Sequence, residues 1–200
     1  MSRFVEARFL TSVASAMQFP ADAGAEVAFA GRSNAGKSSA INAITQRRGL
    51  ARTSKTPGRT RLLNYFELAP SKRLVDLPGY GYANVAQPER EAWLPLLEVL
   101  RSRASLRGLF VIVDSRRGLT EGDDALIEWM QSERRLHVLL SKSDKLSRGE
   151  AAGALRAAAA RLGGRGTVQL FSALRGTGVP EARDTLAAWF SMASFKASTQ

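Results

Sequence analysis

Short apolar runs alternate with amphipathic stretches along most of this chain. Residues 108–114 (GLFVIVD) are almost continuously apolar, which is the pattern of a strand buried on both faces of a parallel sheet. The runs that predict strands are residues 26–30, 62–68, 72–76, 108–114, 136–141 and 167–171. The stretches that predict helices are residues 37–48, 88–103, 121–133, 147–162 and 180–195. This alternation predicts an α/β fold with helices on both faces of a mostly parallel sheet.

The connection between the second and third predicted strands breaks the parallel pattern. Only residues 69–71 separate these runs, and so few residues can close a hairpin but cannot make a parallel crossover. We therefore expect a sheet of about six strands with one antiparallel strand at its edge. The 200 residues suffice for one domain. We place it at residues 25–196, after an N-terminal extension (1–24) and before a tail (197–200).

Composition adds a strong positive charge to this picture. The chain has 29 Lys and Arg against 18 Asp and Glu, for a net charge of +11. So basic a domain is expected to meet a polyanion, although an Arg- and Ala-rich genome would give the same balance. No cysteine is present, which excludes disulfides and thiol chemistry and favours a reducing, cytoplasmic location. We expect no membrane association, because no apolar stretch is long enough for a membrane span.

The strongest chemical signal follows the first predicted strand directly. The string GRSNAGKS fits the phosphate-binding pattern G-x-x-x-x-G-K-[ST] and leads into a predicted helix. Backbone N–H groups of such a loop wrap phosphates, Lys37 reaches the β- and γ-phosphates, and the Ser38 hydroxyl binds Mg²⁺. The loop comprises Gly31, Arg32, Ser33, Asn34, Ala35, Gly36, Lys37 and Ser38. We therefore expect a P-loop NTPase with three α/β/α layers.

A second string, DLPG, ends the third predicted strand. It comprises Asp76, Leu77, Pro78 and Gly79. A carboxylate there can hold Mg²⁺ through water, and the Gly79 N–H can contact a γ-phosphate. The same string is also an ordinary turn, so it gains weight only beside the phosphate-binding loop.

The string SKSD, which directly follows the apolar run LHVLL, is a candidate for binding the nucleotide base. The string comprises Ser141, Lys142, Ser143 and Asp144. A carboxylate at Asp144 can accept both N1–H and the 2-amino group of guanine, which adenine does not offer. The string FSA at the end of the next strand would supply backbone donors to guanine O6 from Phe171, Ser172 and Ala173. These two strings favour GTP and GDP over ATP.

The basic loop of residues 49–61 offers a threonine that could complete the Mg²⁺ shell when a γ-phosphate is present. Thr56 and Thr60 both qualify on their chemistry, and the residues alone do not choose between them.

Taken together, these strings resemble the EngB (YihA/YsxC) family of the TrmE–Era-like GTPases. They are GRSNAGKSS (31–39), SKTPGRTRLLNYF (54–66), VDLPGYGYA (75–83), SKSD (141–144) and FSA (171–173). The resemblance implies a GTPase that acts in large ribosomal subunit (50S) assembly and that is needed for normal cell division and septation. One departure is Ser141, which stands where the family usually has Asn or Thr and which keeps a hydroxyl.

The resemblance also implies roles for residues in the basic loop. Ser38 and Thr60 would be the Mg²⁺ ligands, and Lys37, Thr60 and Gly79 would act in catalysis. The further GTP contacts implied there are Gly58, Arg59, Thr60, Arg61 and Leu62.

Two residues bear on the rate of hydrolysis. Tyr80 follows DLPG, where Ras-like proteins carry a glutamine that orients water, so we expect slow intrinsic turnover. Asn34 resembles the asparagine that helps related GTPases hold a monovalent cation such as K⁺, although turn geometry alone would also explain an asparagine there.

Three basic sets favour ribosomal RNA as a partner, without sequence-specific DNA readout. The first is Arg47, Arg48, Arg52, Lys55, Arg59 and Arg61; the second is Arg101, Arg103 and Arg107; the third is Arg116 and Arg117. Solvated surface charge is the alternative for each. We expect a monomer.

Other function classes stay open at this point. An ATP-using P-loop kinase or ATPase would share the phosphate loop, but SKSD and FSA argue against it. A GTP-gated RNA-binding module that does not hydrolyse GTP is compatible with Tyr80.

Overall fold

The structure is a computed structural model, which describes residues 4, 6–51, 62–80, 87–130 and 134–192, apart from the side chains of residues 87–93. Its strands are β1 (Arg8–Val13), β2 (Ala25–Gly31), β3 (Leu63–Ala69), β4 (Lys72–Asp76), β5 (Leu106–Asp114), β6 (Arg135–Ser141) and β7 (Thr167–Leu170). Its helices are α1 (Lys37–Thr45), α2 (Gln87–Ser102), α3 (Glu121–Trp129), α4 (Arg148–Leu162) and α5 (Val179–Phe190). The predicted α/β fold is confirmed.

A single sheet connects all the described strands, in the order β1-β3-β4-β2-β5-β6-β7. The pairs from β4 to β7 are parallel. Strand β3 is antiparallel to both of its neighbours, so it alone runs against the other six strands. The predicted hairpin of β3 and β4 is therefore present, and it lies toward one side of a parallel sheet.

Two details of the sheet differ from the prediction. It has seven strands instead of about six, and the antiparallel strand lies one position in from the edge. The cause is β1, which comes from the segment assigned to the N-terminal extension and pairs with β3. Its first residues are exposed and its register shifts between Phe9 and Thr11. A regular alternation of apolar and polar positions is therefore missing from the sequence there.

Helices cover both faces of the sheet, as expected for three α/β/α layers. On one face, α1 and α5 pack through Ile41 and Leu186 into a core that contains the stacked rings of Phe29 and Phe110. On the other face, α2, α3 and α4 contribute to a second core, which includes Leu100. No helix in the described ranges is both long and apolar enough to cross a membrane.

Some helix ends differ from the prediction for local reasons. Helix α1 stops at Thr45, three residues early, because Gln46 adopts the left-handed conformation with φ 56°. Helix α4 begins where expected, because Ser147 accepts a hydrogen bond from the Glu150 N–H and the Glu150 carboxylate accepts one from the Ser147 N–H.

The parallel strands place four loops at one edge of the sheet. The carboxyl ends of β4, β2, β6 and β7 lie at the same end of the sheet, with β5 between β2 and β6, and each of the four is followed by one of the strings that predict nucleotide chemistry. Ligands of open α/β sheets bind outside this end of the strands. The topology therefore brings together segments that are far apart in the chain.

Candidate nucleotide-binding site

The loop between β2 and α1 has the conformation that phosphate binding requires. Gly36 directly precedes α1 with φ 96°, a left-handed value that glycine adopts without steric cost. Asn34 is also left-handed, with φ 64°. The N–H groups of the first turn of α1 have no partner within the helix and carry its positive dipole end. The loop is therefore built to receive an anion at the start of α1.

Lys37 and Asp76 meet between this loop and the end of β4. The Lys37 ammonium donates a hydrogen bond to Asp76 Oδ1, and both side chains are largely buried. Burial raises the pKa of Asp76, and the charge and hydrogen bond of Lys37 oppose that rise. The structure thus brings together the two charged side chains that were predicted for phosphate and Mg²⁺.

The DLPG segment packs directly on the phosphate-binding loop. The Leu77 N–H donates to the Phe29 carbonyl of β2 at 2.9 Å, and the Ser33 N–H donates to the Tyr80 carbonyl at 3.1 Å. A Cβ atom at Gly79 would come within 2.8 Å of the Ser33 hydroxyl. Gly79 therefore lies close against the loop, as a contact to the terminal phosphate would require.

The donor set near Asp76 fits a magnesium ion that is shared with a nucleotide. Mg²⁺ prefers oxygen ligands and binds through few protein groups when phosphates and water supply the others. Ser38 is the second residue of α1, directly after Lys37, and offers such an oxygen. Among the described residues, no group of three or more His, Cys, Asp or Glu could hold a metal. A metal bridged to phosphates does not need such a group.

Ser141 connects the base-reading loop to the phosphate-binding loop. Its hydroxyl, at the end of β6, donates to the Ala35 carbonyl at 2.5 Å and is buried. The next residue, Lys142, is left-handed with φ 57°, and its ammonium donates to the Asn34 carbonyl at 2.6 Å. Although Ser141 departs from the family pattern, it makes a hydrogen bond to the phosphate-binding loop.

Asp144 is held by the loop after β7. Ser172, which is fully buried, donates its hydroxyl to Asp144 Oδ1 at 2.5 Å, and the Ser143 N–H donates to the Phe171 carbonyl at 3.1 Å. The Ser172 hydroxyl lowers the pKa of Asp144, so the carboxylate is ionised at neutral pH. An ionised carboxylate accepts hydrogen bonds only. It therefore suits the two donors on the guanine edge.

Part of the predicted site cannot be placed. Thr56, Gly58, Arg59, Thr60 and Arg61 lie outside the described residues. Leu62 is half-buried and directly precedes β3. The roles implied for Thr60 in binding Mg²⁺ and in catalysis stay predictions.

Asp114 belongs to this edge of the sheet and was missed. It ends β5 beside Ser141 of β6 and accepts hydrogen bonds from Arg116, at 2.9 and 2.6 Å, and from Lys142, at 2.9 Å. The Arg116 guanidinium, followed by the Lys142 ammonium, holds its pKa well below the usual range. An acid at the end of a continuously apolar strand was the available signal, and it was treated only as the boundary of the strand.

One predicted RNA-binding set was wrong. Arg103 and Arg107 are only 6% and 5% exposed, because both donate hydrogen bonds to carbonyls of residues 20–24. Arg101 pairs with Glu98 on α2. Of the remaining sets, Arg116 and Arg117 are exposed after β5, as are Arg47 and Arg48 after α1.

Sequence comparisons find similar GTP-binding proteins. A family model described as "50S ribosome-binding GTPase" matches residues 26–142. The chain is 51% identical over 194 residues to the "Probable GTP-binding protein EngB" of Methylococcus capsulatus, covering 94% of this chain and 92% of that protein. It is 49% identical over 193 residues to the protein of the same name from Coxiella burnetii, covering 94% of each.

Comparison with solved structures shows the same fold. A crystal structure of a probable GTP-binding protein engB superposes with a TM-score of 0.62 at 20% identity, covering 83% of this chain and 98% of that chain. Era in complex with MgGDPNP and nucleotides 1506–1542 of 16S ribosomal RNA superposes with a TM-score of 0.64 at 18% identity, covering 88% of this chain and 61% of that chain.

Proposed function

Because this chain belongs to the EngB family of GTP-binding proteins and is a GTPase, we propose that it is a slow, Mg²⁺-dependent switch in the assembly of the large ribosomal subunit. The observation that carries the nucleotide part is the hydrogen bond from Ser172 to Asp144. It holds Asp144 as an ionised carboxylate, which supports a role as acceptor for the two donors of a guanine edge. This contact favours the GTPase over the ATP-using kinase or ATPase that the phosphate loop alone would allow.

The chain's own residues would divide the work of hydrolysis between them. Lys37 exchanges its contact with Asp76 for the β- and γ-phosphates, and the Gly79 N–H contacts the γ-phosphate. Ser38 and Thr60 would hold Mg²⁺, with Asp76 acting through water. When bound, the metal ion neutralises charge on the phosphates. Most of the catalytic effect then comes from positioning and charge stabilisation rather than from a general base.

Slow turnover follows from the chemistry of Tyr80. Its phenol donates a hydrogen bond to Asp123 of α3, and burial raises its pKa. A neutral phenol held in this way does not replace an amide that orients the attacking water. We therefore expect a partner or a monovalent cation near Asn34 to raise the rate, and equal rates in K⁺ and Na⁺ would exclude the cation.

The ribosomal part of the proposal is supported by charge and by family. The net charge of +11 suits an RNA surface. The matching family model is described as ribosome-binding, and the structural neighbour Era was solved with ribosomal RNA. A cytoplasmic location follows from this role, and a defect in division and septation would be its consequence in the cell.

Pelleting of 50S subunits tests this proposal. We expect more protein to sediment with 50S in a non-hydrolysable GTP analogue than in GDP, and 50S to raise the rate of GTP hydrolysis. Asp144→Asn serves as the matched variant, because it should lose both responses with GTP. Sedimentation that does not depend on the nucleotide would contradict the switch. Nucleotide-dependent sedimentation with no hydrolysis in a single turnover would support a binding module instead.

A further inference from the structure

A cavity of about 390 Å³ lies beside the phosphate-binding loop, between that loop and the start of α3. It is bounded by residues 32–35 of the loop, the last residues of β5, the turn that follows β5, and Lys142. Three arginines line it: Arg32 from the loop, and Arg116 and Arg117 from the turn. We call this cavity the arginine pocket.

The arginine pocket borders the nucleotide cradle and shares five residues with it: Arg32, Ser33, Asn34, Ala35 and Lys142. Its lining contains neither Gly36, Lys37 nor Ser38, which would hold the phosphates and Mg²⁺. Nor does it contain Asp144 or the FSA loop, which would hold the base. The groups expected to hold the terminal phosphates, Mg²⁺ and the base are therefore left to the nucleotide.

The charges that line the pocket do not balance. Four cationic side chains face two carboxylates, those of Asp114 and Asp123. Asp114 is occupied by Arg116 and Lys142, and Asp123 by Thr120 and Tyr80. Among the side chains that the structure describes, Arg32 and Arg117 form no ion pair. Both guanidinium groups are therefore available to an anion.

We propose that the arginine pocket binds a phosphate group of an RNA backbone next to the bound nucleotide. Arginine suits this ligand because its planar guanidinium donates two parallel hydrogen bonds to phosphate oxygens. The inference rests on the proposed function for the identity of the RNA. The basic, phosphate-accepting character of the pocket rests on its lining alone.

Residues of the pocket contact the segment around Gly79, which would bind the γ-phosphate. Arg32 and Tyr80 form a backbone bridge, and the Tyr80 phenol reaches Asp123 on the α3 side of the pocket. A phosphate bound by the Arg32 side chain would therefore be held by a residue whose backbone pairs with Tyr80, next to Gly79. Coupling between two ligands is reciprocal, so RNA affinity should differ between the GTP and GDP states.

The test measures binding of a fluorescein-labelled single-stranded oligouridylate by fluorescence anisotropy, with the full chain saturated with Mg²⁺ and a non-hydrolysable GTP analogue. The pocket variant is Arg117→Glu, with Arg117→Ala as a milder second variant. The matched control is Arg156→Glu, which makes the same charge change at an exposed position on α4. Binding of fluorescent GDP to every variant checks that the nucleotide site is intact.

We expect Arg117→Glu to weaken RNA binding at least about tenfold, and to reduce the dependence of log affinity on log salt by about one. Arg156→Glu should change the affinity by less than about twofold. Equal weakening by both variants, or no weakening by either, would overturn the proposal, because RNA would then be held by diffuse surface charge or at another site.

Pyrophosphate separates the two sources of the same chemistry. If pyrophosphate displaces RNA while the nucleotide stays bound, the result supports an anion site in the arginine pocket. If pyrophosphate binds wild type but not Arg117→Glu, while RNA is insensitive to the variant, the ligand is a free oligophosphate and the RNA assignment is wrong. Displacement of pyrophosphate by the GTP analogue would place it in the nucleotide cradle and overturn the proposal. If the wild-type protein does not sediment with 50S subunits, the proposed function is overturned, but the results on the arginine pocket are not affected.

Discussion

Charged side chains cluster at both ends of the central strands, and the two clusters are built differently. At the amino-terminal end of β2, Glu26 is fully buried and accepts hydrogen bonds from Arg103 at 2.7 and 2.8 Å. Arg73 contacts the same carboxylate at 3.2 Å. At the carboxyl end, Lys37 and Asp76 form one pair, and Asp114 holds Lys142 and Arg116.

The partners of the two clusters explain what each of them does. Arg103 also donates to the carbonyls of Pro20 and Ala21, and Asp22 accepts hydrogen bonds from the N–H groups of Ala104 and Ser105 at 2.9 Å. This cluster therefore attaches residues 20–24 to the sheet. The groups at the carboxyl end hold loops, and Lys37 can exchange its protein partner for phosphate. We therefore expect variants at the first cluster to change stability, and variants at the second to change nucleotide binding.

Glu26→Gln should give the largest effect. The change removes the charge that Arg103, which is buried, and Arg73, which is largely buried, contact most closely, so we expect a loss of about 3–5 kcal/mol in the free energy of unfolding. Urea denaturation measures this loss, and GDP affinity should be unchanged. The control is Glu128→Gln, an exposed acid on α3. If Glu26→Gln lowers the free energy of unfolding by less than about 1 kcal/mol, or lowers GDP affinity as well, the two clusters do not have the different roles assigned to them.

Asp114→Asn tests whether the nucleotide end also contributes to stability. The folded pKa of Asp114 is lowered, so the ionised group stabilises the protein above its unfolded pKa, and that contribution disappears as pH falls through the folded value. We expect the variant to lose about 1.5–3 kcal/mol at neutral pH, with a smaller difference below about pH 4. Asp124→Asn, which breaks a partly exposed pair with Arg161, should cost less than about 1 kcal/mol. If the difference in the free energy of unfolding between wild type and Asp114→Asn does not change with pH, the ionised form of Asp114 is not its cause.

Ser172→Ala should weaken GDP binding about five- to tenfold, or roughly 1–1.4 kcal/mol, because Asp144 loses its positioning hydrogen bond. The pKa of Asp144 rises without that hydroxyl. GDP affinity should then begin to fall at a higher pH in the variant than in wild type when the solution is acidified. Calorimetric titration across pH gives both results, with Ser191→Ala, at an exposed position directly after α5, as the control. If GDP affinity falls at the same acidic pH in the variant as in wild type, the Ser172 hydroxyl does not control the ionisation of Asp144.

Ser141→Ala should give the smallest effect. Losing the hydrogen bond to the Ala35 carbonyl should cost about 1 kcal/mol, or about fivefold in GDP affinity. Ser141→Thr, which keeps the hydroxyl, should restore most of it. If Ala and Thr at this position bind GDP equally well, the contact between the two loops has no role in nucleotide binding.

The two ends also differ in how far the sequence predicts them. The carboxyl end is predictable, because apolar runs locate the strands and each is followed by residues suited to phosphate, metal or guanine. The opposite end is not, because an arginine in a sequence has the same appearance whether it is solvated or buried. Arg103 was therefore assigned to an RNA surface although its partners are Glu26 and residues 20–21.

Long-range pairing explains what else was missed. Strand β1 lacks a clear alternation because its outer residues are exposed, and its partner β3 is about fifty residues away in the chain. Asp114 becomes informative only when β5 and β6 are known to be neighbours, which places it beside Ser141 and within reach of Lys142.

Guanine recognition by Asp144 tests the account most directly, through the dissociation constants of GDP, ADP and XDP for wild type and Asp144→Asn. We predict that wild type binds GDP at least about a hundredfold more tightly than ADP. The variant should lose that preference and gain affinity for XDP, whose 2-oxo group accepts a hydrogen bond from the new amide. If ADP binds wild type as tightly as GDP, or if Asp144→Asn leaves the order of the three affinities unchanged, the assigned base-reading site is wrong.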